Sequence, residues 1–416
     1  MHDSEETQMT KVPLISNRLM QWQHQQPQGP WRLLALPTYR CNVKCGICVR
    51  NWHPMPKFLF DEMPDERWLR LVDEAGDLGV RSLVIGGGGE PMLRGKLVTE
   101  MCVKAKERGM NGRLQTNGTR LPPETMEALI RSGWDCLSIS LDGPDEIVND
   151  TVRFKGAFEK ISASLHALRD MKRHYRSTLP IVSIHMTITA QNHDRLEDMV
   201  AFCLDNGVDM LAASPLLEGG MQDTVYPLNP DQRAALPSHI RSAIIKADNA
   251  RLPHTLHNLL LLMDDASAET SSVTRACPKP TQQFAGTHCL EPWTGASIVS
   301  SGHISPCCYF WDEKAESIRD MTLEEAWNGP YMTAFRNRML TGWLRQECMH
   351  CPFPHSEEHV ALKKTIQKAS HVSKRPGLPR RLINSLRNYG IWGSYQRFKE
   401  WRIIRYAARA ERKKRS

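Results

Sequence analysis

Residues 31–48 read WRLLALPTYRCNVKCGIC and join a short apolar run to three cysteines. The run WRLLALP has the length and composition of a buried strand. Cys41, Cys45 and Cys48 follow it with the spacing C-x3-C-x2-C. Three thiolates ligate only three irons of a 4Fe-4S cubane, whereas a cluster that only stores electrons normally has four cysteine ligands. The spacing therefore predicts a cluster with one open iron, at which chemistry takes place.

Downstream of this loop, short apolar runs alternate with segments of helical periodicity. Including the first, the runs are WRLLALP, RSLVIGG, GRLQTNG, CLSISLDG, IVSIHMTIT and MLAASPL. Six strands joined by crossover helices predict an α/β fold, in which a parallel sheet curls into a partial (β/α)6 barrel. The functional loops of such a barrel lie at the carboxyl ends of its strands.

The predicted barrel occupies residues 31–228, and the segments around it differ in composition. Residues 1–30 are polar and Gln-rich, which predicts an extended or loosely packed arm to which no function is assigned. Residues 229–275 are expected to form a helical and irregular linker. Residues 276–369 are expected to form a small cysteine-rich α+β domain, and residues 370–416 a basic helical tail.

The composition of the 416-residue chain is ordinary for a globular protein, with 41% hydrophobic and 24% charged residues. No apolar run approaches the roughly 18 residues needed to span a bilayer, and the polar start MHDSEETQMTK does not resemble an export signal. A cytoplasmic protein is therefore expected. Twelve cysteines in such a protein favour metal binding or catalysis over disulfides.

The net charge of +8 originates in the C-terminal tail, because residues 368–416 hold 15 basic and 2 acidic residues. Apolar residues recur there at helical spacing from Leu382 to Ile404, which predicts a basic amphipathic helix. Three alternatives remain for this helix, in order of preference. It docks on the barrel, it contacts the inner membrane surface peripherally, or it binds nucleic acid.

The CNVKCGIC loop after a strand resembles the radical S-adenosylmethionine (SAM) superfamily. The resemblance implies that the open iron binds the amino and carboxylate groups of SAM. It also implies that an external one-electron reductant drives cleavage of SAM to a 5'-deoxyadenosyl radical. Members usually carry an aromatic residue before the third cysteine, and this chain has Ile47 there.

Further motifs match the SAM pocket that the resemblance implies. The second strand ends in Gly-Gly-Gly-Gly-Glu-Pro, where glycines allow close backbone approach and the glutamate can accept a hydrogen bond from a cationic amino group. Serine and aspartate of the SLDG motif are implied near the ribose, and an arginine near the carboxylate, although a solvated loop arginine fits the sequence equally well. The implied cofactor-binding residues are Gly88, Gly89, Glu90, Asn117, Ser140, Asp142 and Arg153, with Thr187, Thr189 and Asn192 as further candidates.

A second cysteine set predicts a fully ligated cluster. Cys289, Gly302 and Cys307 form C-x12-G-x4-C, and Cys348 and Cys351 form C-x2-C. This pattern resembles the SPASM domain in its shorter "twitch" form, which holds one auxiliary 4Fe-4S cluster, as in aminocyclitol dehydrogenases. A structural zinc site is the alternative for four such cysteines. Of the remaining cysteines, Cys136, Cys277 and Cys308 are of interest, and Cys308 could be an alternative ligand or a hydrogen donor.

The leading functional hypothesis is a radical SAM oxidoreductase that acts on a small polar substrate such as a sugar, a cyclitol or another biosynthetic precursor. The auxiliary cluster would accept the electron. The alternatives are a peptide maturase, a sugar epimerase and a non-catalytic iron-sulfur module. A peptide substrate is less favoured, because only about 30 residues precede the first strand and could bind a leader. The glycine-rich and SLDG pockets argue against a module without catalysis.

Overall fold

The computed structural model describes residues 2–52, 54–216, 224–261, 287–344, 348, 351 and 356–374. Within them, strands form one sheet with the order β6-β5-β4-β3-β2-β1-β7-β8. The strands are β1 (Arg32–Ala35), β2 (Ser82–Ile85), β3 (Asn111–Thr116), β4 (Cys136–Ser140), β5 (Ile181–Ile188), β6 (Met210–Pro215), β7 (Gly295–Ile298) and β8 (Ile304–Ser305). The six predicted strands are confirmed, and they pair in parallel as a partial barrel.

Helices connect the strands and cover the outer face of the sheet. The described α-helices are α1 (His2–Gln23), α2 (Val49–Trp52), α3 (Asp65–Asp77), α4 (Gly95–Glu107), α5 (Pro123–Arg131), α6 (Glu146–Val152), α7 (Ala157–His174), α8 (Leu196–Asn206), α9 (Pro230–Ala250), α10 (Glu291–Thr294), α11 (Leu323–Trp327), α12 (Pro330–Leu340) and α13 (Glu357–Lys374). Short 3-10 helices lie at Lys57–Phe60 and Pro91–Arg94. None of the described helices is long and apolar enough to cross a membrane.

Alternation along the strands separates an apolar face from a polar one. Leu137 and Ile139 of β4 belong to the main hydrophobic core beneath the helices. Ser138 and Ser140 lie on the opposite face, because successive side chains of a strand point to opposite sides. Ser140 is in register with His185 of β5. The inward face of the barrel is therefore polar at these strands, and a polar ligand can be held there.

The prediction of an extended N-terminal arm was wrong, because residues 2–23 form α1. Ile15 and Leu19 of this helix are buried in a hydrophobic cluster that also contains Phe335 and Leu362. The spacing of four residues puts Ile15 and Leu19 on one face of the helix. Arg18 anchors the end of the arm by donating to the carbonyl oxygens of Gly29 and Pro30 at 3.3 and 3.2 Å. The polar composition of the segment concealed this narrow apolar stripe.

The second cysteine unit continues the barrel sheet. β7 pairs in parallel with β1, with Arg32 opposite Gly295, and β8 pairs antiparallel with β7. An open barrel leaves the edge of its first strand unpaired, and β7 covers that edge. Arg32 also forms an ion pair with Glu291, at 2.6 Å between Nη2 and Oε2. The two units are therefore joined by the pairing of β1 with β7 and by the ion pair between Arg32 and Glu291.

The first part of the expected linker packs against the barrel and contributes to its core. Leu236 and Ile240 of α9 are fully buried in the main core. After this helix, Leu211 of β6 donates to the carbonyl oxygen of Pro253 at 2.9 Å and accepts from Thr255 at 3.0 Å, so this segment covers part of the outer edge of β6. The rest of the linker, from residue 262, lies outside the described residues, as do Cys277 and the tail from residue 375.

Candidate functional site

The three cysteines of the first set lie together in the loop that follows β1. Cys48 donates its backbone N–H to the carbonyl oxygen of Cys45 at 3.1 Å, and Asn51 Nδ2 donates to the same oxygen at 2.6 Å. The thiol of Cys45 interacts electrostatically with those of Cys48 and Cys41. Burial raises the pKa of Cys45 to about 11, which disfavours a bare thiolate. Ligation to iron supplies the positive charge that stabilises the deprotonated form.

A site for a single metal ion requires its ligand atoms to lie close together. Two sulfur ligands of one tetrahedral zinc ion lie about 4 Å apart. Among the described residues, Asp248, His254 and His257 are the one group whose ligand atoms all lie within 4.8 Å of one another. His254 already uses both ring nitrogens, with Asp248 at 3.1 Å and with the backbone N–H of Leu256 at 3.2 Å. Among the described residues the sulfur atoms of neither cysteine set form such a group, and a 4Fe-4S cluster does not require it, because each cysteine binds a different iron.

The glycine run after β2 packs against the loop that leads to the first cysteine. Gly89 donates to the carbonyl oxygen of Thr38 at 2.9 Å, and Glu90 donates to that of Arg40 at 2.8 Å. A Cβ atom on Gly89 would lie 1.9 Å from the Arg40 carbonyl oxygen, so a side chain does not fit. Gly88, with φ of +64°, lies against the ring of Tyr39. These glycines bring the end of β2 to the cysteine loop.

Glu90 is a carboxylate held in a fixed position at the mouth of the barrel. It is 2% exposed and accepts hydrogen bonds from Thr116 Oγ1 at 2.7 Å, from the N–H of Asn117 at 2.8 Å and from that of Met92 at 3.0 Å. Burial raises its pKa, and these three donors and Arg153 oppose the shift. Asn117 Nδ2 lies 4.0 Å from Cys41 Sγ. A carboxylate and an amide beside the open-iron loop fit the amino group of SAM.

Asp142 connects the ends of β4 and β5. Its Oδ1 accepts from the N–H of Thr187 at 2.7 Å, and its carbonyl oxygen accepts from Asn192 Nδ2 at 2.8 Å. Its Oδ2 lies 2.8 Å from Arg153 Nε. Cys45 interacts electrostatically with both Arg153 and Asp142. The buried ion pair therefore lies beside the cysteine loop, where an anionic group of the cofactor can meet the guanidinium.

The remaining candidates on β4 and β5 differ in their surroundings. Asn192 uses its whole amide within the chain, because Nδ2 also donates to the Thr187 carbonyl oxygen at 2.8 Å and Oδ1 accepts from the N–H of Thr189 at 2.7 Å. These residues shape the loop after β5. Ser140 lies half-buried on the inward face, opposite His185. His185 was missed, although its place between Ser183 and Thr187 in IVSIHMTIT has the period of an inward-facing residue.

The second cysteine set converges at the end of α12 and the start of α10. Cys289 Sγ accepts from the N–H of Glu291 at 3.4 Å, and its thiol interacts electrostatically with Cys351 and Cys348. Cys307 interacts with Cys289 in the same way. Burial raises the pKa of the Cys289 and Cys307 thiols. Four partly buried thiols at one place fit a fully ligated iron-sulfur cluster.

The structure explains why the C-x12-G-x4-C pattern contains a glycine. Gly302 has φ of +91° in the turn between β7 and β8. A Cβ atom there would also lie 2.6 Å from Met63 Sδ. The turn reverses the chain so that β8 leads back towards Cys307. The spacing is thus that of a hairpin between two candidate ligands, Cys289 and Cys307.

Comparisons with known proteins agree with both units. A family model of the radical SAM superfamily matches residues 36–203, and a model of an iron-sulfur cluster-binding domain, SPASM, matches residues 289–352. The chain belongs to the radical SAM superfamily. This radical SAM enzyme binds S-adenosylmethionine and a 4Fe-4S cluster in its barrel. Its SPASM domain binds additional iron-sulfur clusters.

Several relatives match this radical SAM enzyme over most of both chains. The PqqA peptide cyclase of Granulibacter bethesdensis is 27% identical over 334 residues, which cover 78% of this chain and 80% of the relative. The pre-heme d1 synthase of Dinoroseobacter shibae is 27% identical over 306 residues, covering 70% and 72%. The crystal structure of Streptococcus suis SuiB bound to the precursor peptide SuiA has a TM-score of 0.58 at 19% identity, covering 83% and 72%, which establishes a shared fold.

Proposed function

We propose that this radical SAM enzyme modifies a peptide by oxidative hydrogen abstraction. The observation that carries the proposal is the match to proteins named as PqqA peptide cyclase, which extends over about four fifths of both chains. The match at this length includes the barrel and the auxiliary unit together. The sequence favoured a small polar substrate, and peptide maturation stood as its alternative. The relatives support that alternative better than the sugar or cyclitol hypothesis.

Apolar side chains around the cysteine loops also support a peptide substrate. Val49 and Trp52 follow the first cysteine set and are 45% and 39% exposed, and Tyr309 in the second set is 38% exposed. Contiguous exposed apolar residues can mark a site that binds protein or peptide. We infer that these side chains offer apolar contacts to a peptide.

We assign the residues of this reaction as follows. Cys41, Cys45 and Cys48 hold the first cluster, and Glu90 and Arg153 receive the amino and carboxylate groups of SAM. When bound, this cofactor supplies the 5'-deoxyadenosyl radical that takes a hydrogen atom from a substrate C–H bond. The cluster held by the second cysteine set would supply an acceptor for the one electron that the substrate radical must lose, and water would take its proton. The auxiliary ligands are Cys289, Cys307, Cys348 and Cys351.

The test uses anaerobically reconstituted enzyme with SAM and a one-electron reductant. The probes are synthetic peptides encoded by short reading frames beside the gene. We expect formation of 5'-deoxyadenosine to rise with one peptide, and that peptide to lose two hydrogen atoms by mass spectrometry. Enzyme with Cys41, Cys45 and Cys48 replaced by alanine is the control and should leave the peptide unchanged. Conversion of a sugar or cyclitol panel, with all peptides unchanged, would refute the proposal.

A further inference from the structure

A tyrosine that is distant in sequence lies directly on the loop between the cluster cysteines. Gly46 stands between Cys45 and Cys48, and a Cβ atom on it would lie 1.7 Å from Tyr226 Oη and 2.3 Å from Tyr226 Cζ. No side chain other than glycine's hydrogen fits beneath the ring. The ring of Tyr226 and the backbone of the cysteine loop are therefore in contact.

The backbone of Tyr226 is tied to the loop after β5. Its carbonyl oxygen accepts from the N–H of Ala190 at 2.8 Å, and Gln191 Nε2 donates to the carbonyl oxygen of Val225. Gln232 at the start of α9 in turn donates to the carbonyl oxygen of Ala190 at 3.1 Å. This loop is fastened to the Asp142–Arg153 pair through Asn192. The ring thus has a fixed position relative to the residues assigned to SAM.

The cysteine loop is held from other directions at the same glycine. Gly46 donates its N–H to the carbonyl oxygen of Val152 at 3.1 Å, one residue before Arg153. Its carbonyl oxygen accepts from Trp52 Nε1 at 2.8 Å. Tyr226 closes the remaining side. A small displacement of Gly46 would move Cys45 and Cys48 together, so the ring restricts where the open iron lies.

The hydroxyl group of Tyr226 is available for a ligand. It makes no hydrogen bond to any residue that the structure describes, and the side chain is half-buried. A partly buried tyrosine hydroxyl usually finds a hydrogen-bond partner. The neighbouring side chain of the loop, Ile47, has no polar atom. Asn51 and Trp52 also reach this loop, but both use their polar atoms on its carbonyl oxygens, whereas the Tyr226 hydroxyl makes no hydrogen bond to a described residue.

We propose that Tyr226 is a positioning residue for S-adenosylmethionine. Its ring fixes the backbone between Cys45 and Cys48, and its hydroxyl donates a hydrogen bond to a polar group of the bound cofactor. The role differs from structural support of the cluster alone, because it concerns the affinity and geometry of SAM at a cluster that is already assembled. It is independent of the identity of the substrate.

The experiment compares Tyr226→Phe and Tyr226→Leu with the wild type, all full-length and anaerobically reconstituted. Tyr175→Phe is the matched control, because the Tyr175 hydroxyl donates to Glu127 at 2.6 Å on the outer helices. Iron content, the dissociation constant for SAM and the change that SAM causes in the EPR spectrum of the reduced cluster are measured. We expect normal iron in all variants. SAM affinity should fall about tenfold in Tyr226→Phe and further in Tyr226→Leu, with a smaller EPR change.

A second pair of variants tests the contact itself. Gly46→Ala places a methyl group against the ring and should reduce both iron content and SAM affinity. Adding Tyr226→Ala removes the obstacle and should restore the iron content. Wild-type SAM affinity in both Tyr226→Phe and Tyr226→Leu would overturn the proposal. So would a loss of SAM binding that only follows loss of iron, or a Gly46→Ala defect that Tyr226→Ala leaves unchanged.

Discussion

Arg153 Nε lies 2.8 Å from Asp142 Oδ2, in a pair of which the Asp142 side chain is fully buried and that of Arg153 is 9% exposed. Removing two charges from water is costly, and loss of one partner leaves the other charge uncompensated. Asp142 is itself fixed, because its other carboxylate oxygen accepts from the N–H of Thr187. The orientation of the Arg153 side chain is therefore set by the carboxylate of Asp142, which follows β4 and is hydrogen-bonded to β5.

Asp142→Asn should destabilise the protein more than its small change in volume suggests. The amide preserves the shape but leaves the Arg153 charge without its partner, which costs about 3 to 5 kcal/mol in the free energy of unfolding. Urea unfolding under anaerobic conditions measures this. Asp170→Asn is the control, because Asp170 is 64% exposed beside Arg169 and Arg173 and its exposed ion pairs contribute little. Equal effects of the two substitutions would contradict the buried pair.

Glu90→Gln should weaken SAM binding with the first cluster intact. The substitution removes the negative charge that we propose faces the amino group of SAM. A hydrogen bond to a charged group contributes about 1.5 to 3 kcal/mol, or roughly ten- to a hundredfold in affinity. Equilibrium dialysis of the reconstituted protein gives the dissociation constant. Glu124→Gln, on the exposed first turn of α5, is the control. Wild-type affinity in Glu90→Gln would remove Glu90 from the cofactor site.

Local patterns predicted most of the barrel and the positions of the cysteines. The strand that contains Leu33 and the loop that contains Cys45 are each encoded within a few consecutive residues, so period and spacing were sufficient. The contact between Tyr226 and Gly46 joins residues 180 positions apart, and no local pattern encodes it. The pairing of Arg32 with Gly295 is equally remote. Such contacts form because the unpaired edge of a barrel or the backbone of a loop is covered by residues remote in sequence. These partners can be identified only in the folded chain.

His185 should make the stability of the protein depend on pH. Burial is the main cause that lowers its pKa, Asp142 opposes the shift, and Arg153 and Arg113 add to it. The unfolded chain therefore binds the proton more readily, so acidification through about pH 6.5 favours unfolding. The free energy of unfolding of the wild type should fall relative to that of His185→Gln as pH decreases from about 7 to 5. His166→Gln, on the exposed side of α7, should leave the profile parallel to that of the wild type.

Leu19→Ala should loosen the auxiliary cluster but not the first one. Leu19 is fully buried in α1, in the hydrophobic cluster against which Cys289, Cys307 and Cys348 pack. Truncation leaves a cavity beside these ligands and costs about 2 to 5 kcal/mol in the free energy of unfolding. Cys41, Cys45 and Cys48 are not among the residues of this hydrophobic cluster. A chelator should therefore remove about four of the roughly eight irons faster than in the wild type. Leu14→Ala, 52% exposed on the same helix, is the control. If both variants lose iron at the same rate, α1 does not protect the auxiliary site, and its burial serves the fold alone.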